Sequence, residues 1–139
     1  MKTVFTPSQF VPTKWNSAED KAKFANHFVR FVESGFKKSL FQKWFYTRLS
    51  MTFGHIAHYN QGGFWAEFFE TTSDQLRFLE QTTQCMCHGD PEYTYSDVEK
   101  AIRNWLVQTD IVPDLVMKEL RERQSSERAE YARLQKIYG

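Results

Sequence analysis

The chain has 139 residues, 18 basic and 17 acidic side chains and a formal charge of +1. That length fits one domain able to bury a core without disulfides or metal, and that balance excludes both a polycation and an acidic nucleic-acid mimic at whole-chain level. The 23 aromatics (13 Phe, 6 Tyr, 4 Trp) carry the largest apolar area per residue, so the core is expected to be built from rings, with some left for an interface.

The chain divides into an extended arm (1–15), a core (16–110) and a charged C-terminal helix (111–139). In the arm, Pro7 and Pro12 oppose helix, leaving Phe5, Phe10, Val11 and Trp15 to lie across the core. Ser17 with Asp20 three residues on resembles a capping box and opens a helix whose apolar face is Phe24, Phe28, Phe31 and Val32; Gly35 ends it. A second, central helix is expected from about Ser39. On its wheel, apolar side chains from Leu40 to Ile56 cover more than half the circumference and leave Ser39, Lys43, Tyr46 and Ser50 as a polar strip. Arg48 and His55 then fall in the apolar arc with Tyr59 a turn beyond, unless Gly54 breaks the helix.

After Gly62-Gly63, residues 64–69 fit a short helix or a buried strand, because six residues do not separate the two periods. Thr72 or Ser73 is expected to cap a helix carrying Leu76 and Leu79 inward, and residues 85–91 form a loop broken by Gly89 and Pro91. Ser96 and Glu99 suggest a second capping box ahead of Val98, Ile102, Trp105 and Leu106. Pro113 suits the first turn of the last helix, whose charges from Lys118 to Arg133 suit a solvated or partner-bridging role. The fold class is therefore mainly α, a single-domain bundle of about five helices, with a short strand or hairpin near 62–70 as the one β alternative.

Charge is divided along the chain. Residues 21–48 hold seven Lys or Arg and one acid, whereas residues 67–99 hold eight acids and one base. The fold either joins these regions as internal pairs or turns one patch toward a partner. No signal segment precedes Pro12 and no run reaches the roughly 18 apolar residues of a membrane span, so a cytoplasmic protein without membrane association is expected. Cys85 and Cys87, one residue apart, suit free thiols in a reducing compartment.

Four constellations bear on function. His55, His58, Cys85, Cys87 and His88 supply zinc-binding chemistry, but neither His-x-x-His without Glu nor Cys-x-Cys-His has the spacing of a zinc motif, so no metal or cofactor is expected. The same thiols and imidazoles lack a third, orienting group for nucleophilic catalysis, which points away from an enzyme. Residues 36–46 mix Lys and aromatics as single-strand binders do, yet Lys37, Lys38 and Lys43 do not share a stripe, so a nucleic-acid module stays a secondary reading beside a small zinc protein. Finally, Arg48 in an apolar arc needs an acid, expected from residues 67–74, or else forms a polar pocket with His55 under Trp44 and Trp65.

The segment Tyr59-Asn-Gln-Gly-Gly-Phe-Trp65, preceded by Tyr46-Thr-Arg-Leu-Ser50, resembles the plasmid antirestriction family called ArdB or KlcA. It differs in the inserted Gln61 and in the helix-like residues 71–76 that follow. The resemblance implies a small non-enzymatic phage or plasmid protein that blocks a host defence complex by occupying a bacterial protein's surface. It carries over to Tyr59, Asn60, Gly62, Gly63, Phe64 and Trp65 as binding residues, with Arg48 and His55 beside them. The charge asymmetry and the last helix add the expectation of a homodimer.

Overall fold

A computed structural model describes residues 3–52, 60–84 and 90–138. Among these the chain is helical, with no strand: α1 (Ala18–Glu33), α2 (Lys43–Thr52), α3 (Gln61–Phe68), α4 (Thr72–Gln84), α5 (Ser96–Gln108) and α6 (Ile111–Tyr138). Pro7–Gln9 and Lys38–Leu40 add two 3₁₀ turns. The helix count is six rather than five, because residues 61–68, ambiguous by period, form a helix and not a strand.

α1 is the central element. Ser17 Oγ accepts the Asp20 amide at 3.1 Å, which satisfies one of the four amides that a helix start leaves free. Phe24, Phe28, Phe31 and Val32 are buried, as their spacing requires. At the other end Gly35 takes φ +79°. The Gly35 amide then reaches Val32 O at 3.1 Å and the Phe36 amide reaches Phe31 O at 3.0 Å, the paired bonds of a Schellman cap. Phe36 itself sits at φ +62°, a conformation costly for a residue with a Cβ. It is held there by packing: its ring meets Phe31 edge-on at 5.4 Å and stacks on Phe69 at 5.7 Å.

The second helix starts later than its wheel suggested. Lys38–Leu40 is a separate 3₁₀ turn, Phe41 has ψ +65°, and α2 begins at Lys43. Leu40 and Phe41 therefore reach the core from a turn, and the Gly54 question and the run from 53 to 59 lie outside the described residues. Phe31, Phe41, Phe64, Phe69 and Phe78 form the centre of the core, with Phe41 to Phe69 at 5.3 Å and Phe69 to Phe78 at 4.9 Å. Edge-to-face contacts of this kind fix ring orientation as well as bury area.

Two caps differ from expectation. Thr71, not Thr72 or Ser73, caps α4, accepting the Asp74 amide at 3.1 Å. Ser96 is the first residue of α5 and Tyr95 its N-cap, without a side-chain cap bond, and Glu99 is buried with Arg103 at 3.8 Å. Pro113 lies in the first turn of α6, where its missing amide costs nothing. α6 packs on the body through Ile111, Val112 and Leu115 and through a hydrogen bond from Thr72 Oγ1 to Glu122 Oε1 at 3.1 Å. Beyond that point every residue from 121 to 138 is exposed.

The arm is stitched on by polar groups. Asn26 Oδ1 accepts the Val4 and Phe5 amides at 3.0 and 2.9 Å, and its Nδ2 donates to Phe5 O at 2.9 Å, so one side chain plays the part of a neighbouring strand. Phe5 and Phe10 are buried as expected, whereas Val11 and Trp15 are exposed.

The divided charge is joined internally at one buried point. Lys21 has no exposed surface, and its Nζ lies 2.8 Å from Asp97 Oδ1 and 2.8 Å from Pro91 O. Asp97 Oδ2 also accepts the Val11 amide at 2.9 Å. Removing one partner of a buried pair strands the other charge, so Asp97→Ala is expected to cost about 3–5 kcal/mol in urea unfolding, and Lys21→Met in the Asp97→Ala background to restore part of it.

His27 gives a pH signature. Its Nε2 donates to Leu40 O at 2.6 Å, and its ring packs on Trp44 and Phe45 at 4.8 and 4.5 Å. Burial, with Arg30 and Lys23 adding to it against the Leu40 bond, holds its pKa below the ordinary value. Because the unfolded chain then takes up the proton first, stability is full above about pH 6.5 and falls as pH drops from there through the lower folded-state pKa. Thermal unfolding from pH 8 to 5 is expected to show this loss, and His27→Gln to flatten it relative to the parent.

Candidate docking surface

The residues singled out by sequence divide into core and undescribed positions. Tyr59 and His55 lie outside the described residues, as do His58, Cys85, Cys87 and His88. Asn60 is the N-cap of α3, its Oδ1 accepting the Gly63 amide at 2.6 Å. Gly62 and Gly63 are in the first turn of that helix, and neither has positive φ. Among the described residues the left-handed glycine is Gly35. Phe64 is fully buried, and Trp65 is half-buried against Phe31, Phe41 and Phe69 at 6.3, 5.4 and 5.5 Å. Lys38 Nζ covers the Trp65 ring at 5.6 Å. Phe64 belongs to the core, and Trp65 packs against it with part of its surface exposed.

Arg48 is half-buried, as its wheel position implied, but its polar contacts differ from those expected. Its Nη2 donates to Asn16 Oδ1 at 3.3 Å, and its charge faces the buried Tyr95 hydroxyl, which has no well-formed hydrogen bond. Burial raises the Tyr95 pKa, and the Arg48 cation opposes that shift. Two of the acids in the region expected for Arg48, Glu67 and Asp74, flank Arg77 at 3.0 and 3.6 Å. Trp44 packs on His27 and Phe45 while Trp65 covers Phe31, Phe41 and Phe69; the pocket expected of Arg48 with His55 beneath them involves a residue outside the described ones.

Exposed rings gather where two tight turns meet. In the first, Thr13 Oγ1 accepts the Trp15 and Asn16 amides at 3.2 and 2.8 Å, while the Thr13 amide donates to Asn16 O at 2.8 Å. In the second, Asp90 O accepts the Tyr93 and Thr94 amides, both at 2.9 Å, and Asp90 Oδ1 accepts the Glu92 amide at 2.9 Å. The Lys14 amide donates to Glu92 O at 3.3 Å and joins the two turns. Between them lies a cleft of about 230 Å³ lined by Thr13, Trp15, Asn16, Tyr93, Thr94 and Tyr95. Trp15 is 70% and Tyr93 60% exposed, and Lys14 Nζ lies 5.8 Å from the Trp15 ring. Sequence reading assigned Trp15 to the core and passed over Tyr93. The Thr-x-x-Asn and Asp-x-x-Tyr turn spacings were the available signal.

Among the described residues no group of three His, Cys, Asp or Glu is placed to hold a metal, and no helix is long and apolar enough to cross a membrane. A wider groove of about 710 Å³ runs between the end of α1 and the start of α6, with Val32, Phe36, Ile111 and Leu115 among its walls. No family model, curated protein or solved structure matches the chain.

The glycines give opposite expectations. A Cβ at Gly62 meets only Asn60 Oδ1, at 3.9 Å, so Gly62→Ala should stabilise by up to about 1 kcal/mol. Gly35→Ala should destabilise by about 1–2 kcal/mol, because its φ is left-handed. Chemical denaturation of both variants measures the difference.

Proposed function

We propose that the protein works by occupying the surface of a bacterial partner protein, without chemistry of its own, as a cytoplasmic phage or plasmid factor that blocks a host defence complex. The resemblance of the 59–65 segment to antirestriction proteins supports the class. The observation that carries the mode of action is the pair of exposed rings, Trp15 and Tyr93, fixed on hydrogen-bonded turns around one cleft. Trp, Tyr and Arg dominate interface energetics, and an anchor held in place before binding loses little freedom on docking. Lys14, beside Trp15, adds a cation that favours an acidic rim on the partner. In this reading the protein is also a homodimer, and the exposed second half of α6 supports that state.

Expression in cells that carry a restriction or CRISPR complex is expected to raise phage plating efficiency, and Trp15→Ala with Tyr93→Ala to abolish the rise. Because both rings are exposed, each change should shift stability by no more than about 0.5 kcal/mol. The purified variant is also expected to lose at least tenfold in affinity for the captured complex, read by surface plasmon resonance. Undiminished anti-defence activity in the double variant overturns the assignment of the surface, and absence of any plating effect for the parent overturns the function. Salt-sensitive binding of labelled DNA would favour the nucleic-acid reading, and stoichiometric zinc in tag-free protein the metal reading.

A further inference from the structure

We propose that two copies of the chain associate through an antiparallel coiled coil of their α6 helices; this deepens the dimer reading above and does not depend on the Trp15 and Tyr93 surface. α6 runs for 28 residues, and from 121 onward all of it is exposed. Most helical stability in proteins comes from packing of an amphipathic face, and the second half of α6 has no such face against the body. The side chains that hold α6 to the body, Leu115 and Glu122 among them, lie on one face. A second stripe runs along the opposite side. Met117, Leu120, Tyr131 and Leu134 recur there at alternating three- and four-residue steps, and Met117, Tyr131 and Leu134 are all exposed. That is the a/d spacing of a coiled coil. Gln124 and Glu127 interrupt the stripe at its centre.

The interruption selects the pairing. In a parallel pair in register, Glu127 would meet the partner's Glu127 inside the seam, and Arg123 would flank the partner's Arg128, so like charges meet at both levels. In an antiparallel pair with Met117 opposite the partner's Leu134, Leu120 meets the partner's Tyr131 and Gln124 meets the partner's Glu127, an amide against a carboxylate. The two-fold axis repeats each contact, so the polar layers fall together at the centre and the apolar layers at both ends. One flank of this register sets Arg123 against the partner's Glu130 and Val116 against the partner's Ile137. The other sets Arg121 against the partner's Arg128, which is its one like-charged contact. Within each helix Glu130 holds Arg133 and Glu119 holds Arg123, which keeps the flanking side chains extended along the surface.

The test uses the full chain with Cys85 and Cys87 replaced by Ser. Sedimentation at tens of micromolar is expected to give twice the 16.5 kDa chain mass, and Leu134→Asp to raise the dimer dissociation constant at least tenfold while the circular dichroism of the body persists. A spin label at Lys136→Cys, on the outer face, should report roughly 30–35 Å between copies at 1.5 Å per residue, against about 20 Å for a parallel pair. Arg123→Glu should weaken association, and Arg123→Glu with Glu130→Arg should restore it; in a parallel pair the single change would strengthen it instead. A monomer at all concentrations, a short label distance, or a dimer indifferent to Leu134→Asp overturns the proposal. Trp15→Ala with Tyr93→Ala should leave the dimer intact, so loss of partner capture with retained dimer indicts only the docking surface.

Discussion

The buried contact between Lys21 and Asp97 is the constraint on which the arrangement of this chain depends. An ammonium with no exposed surface is tolerable only when its donors are occupied, and here Asp97 and the Pro91 carbonyl occupy them from segments 70 residues or more beyond Lys21. The Tyr95 ring, 5.5 Å from the ammonium, closes the site from a third side. Because Asp97 also accepts the Val11 amide, a single carboxylate registers the arm, the start of α1 and the start of α5 against one another. Replacing such a pair by apolar groups is often neutral for stability; what the pair adds here is that one carboxylate satisfies the Lys21 ammonium and the Val11 amide together.

Once that register is set, the ring cluster follows. α1 delivers Phe24, Phe28 and Phe31 to one side, and α3, α4 and the turn at Phe41 bring Phe64, Phe69 and Phe78 against them. Packed rings tolerate little displacement, since close-packed interiors lose contacts as soon as a gap opens. This accounts for the left-handed Phe36: its backbone strain is offset by two ring contacts, and relaxing the residue would vacate both. The arm, by contrast, is held by two buried rings, by Val4 and by amides paired with Asn26 and Asp97.

Sequence was most informative where structure is local. Ser17 before a run of phenylalanines at helical spacing, Gly35 at its end and Pro113 at the head of the last helix all act through their own neighbours, and each stands where its chemistry placed it. It was least informative where the deciding partner is remote. Nothing near Lys21, Asn26 or His27 announces Asp97, the arm or the Leu40 carbonyl, which are 76, 21 and 13 residues away. Extending a period too far misplaces the start of the second helix: the apolar arc from Ser39 includes Leu40, which belongs to a 3₁₀ turn, and Phe41, which ends it. The candidate site moved for a related reason: Phe64 and Trp65 are aromatic because the core needs rings there, and the sequence does not distinguish a ring kept for packing from one kept for contact.

What separates the two kinds of ring is how the backbone beneath them is held. Core rings here sit on helices or beside their caps, where position is set by burial of the ring itself. Trp15 and Tyr93 sit on turns closed by Thr13 and Asp90, so their positions are fixed by polar groups that do not require the rings at all. A large ring at such a place contributes little to folding and keeps most of its apolar surface in water, a cost that packing inside this molecule does not offset. The two tyrosines of α6, at 131 and 138, are in the same condition, exposed on a helix that the body no longer touches. Both places therefore carry apolar area that packing within the described residues leaves in water, on different scaffolds: two rings on hydrogen-bonded turns in one case, and side chains along a helix in the other.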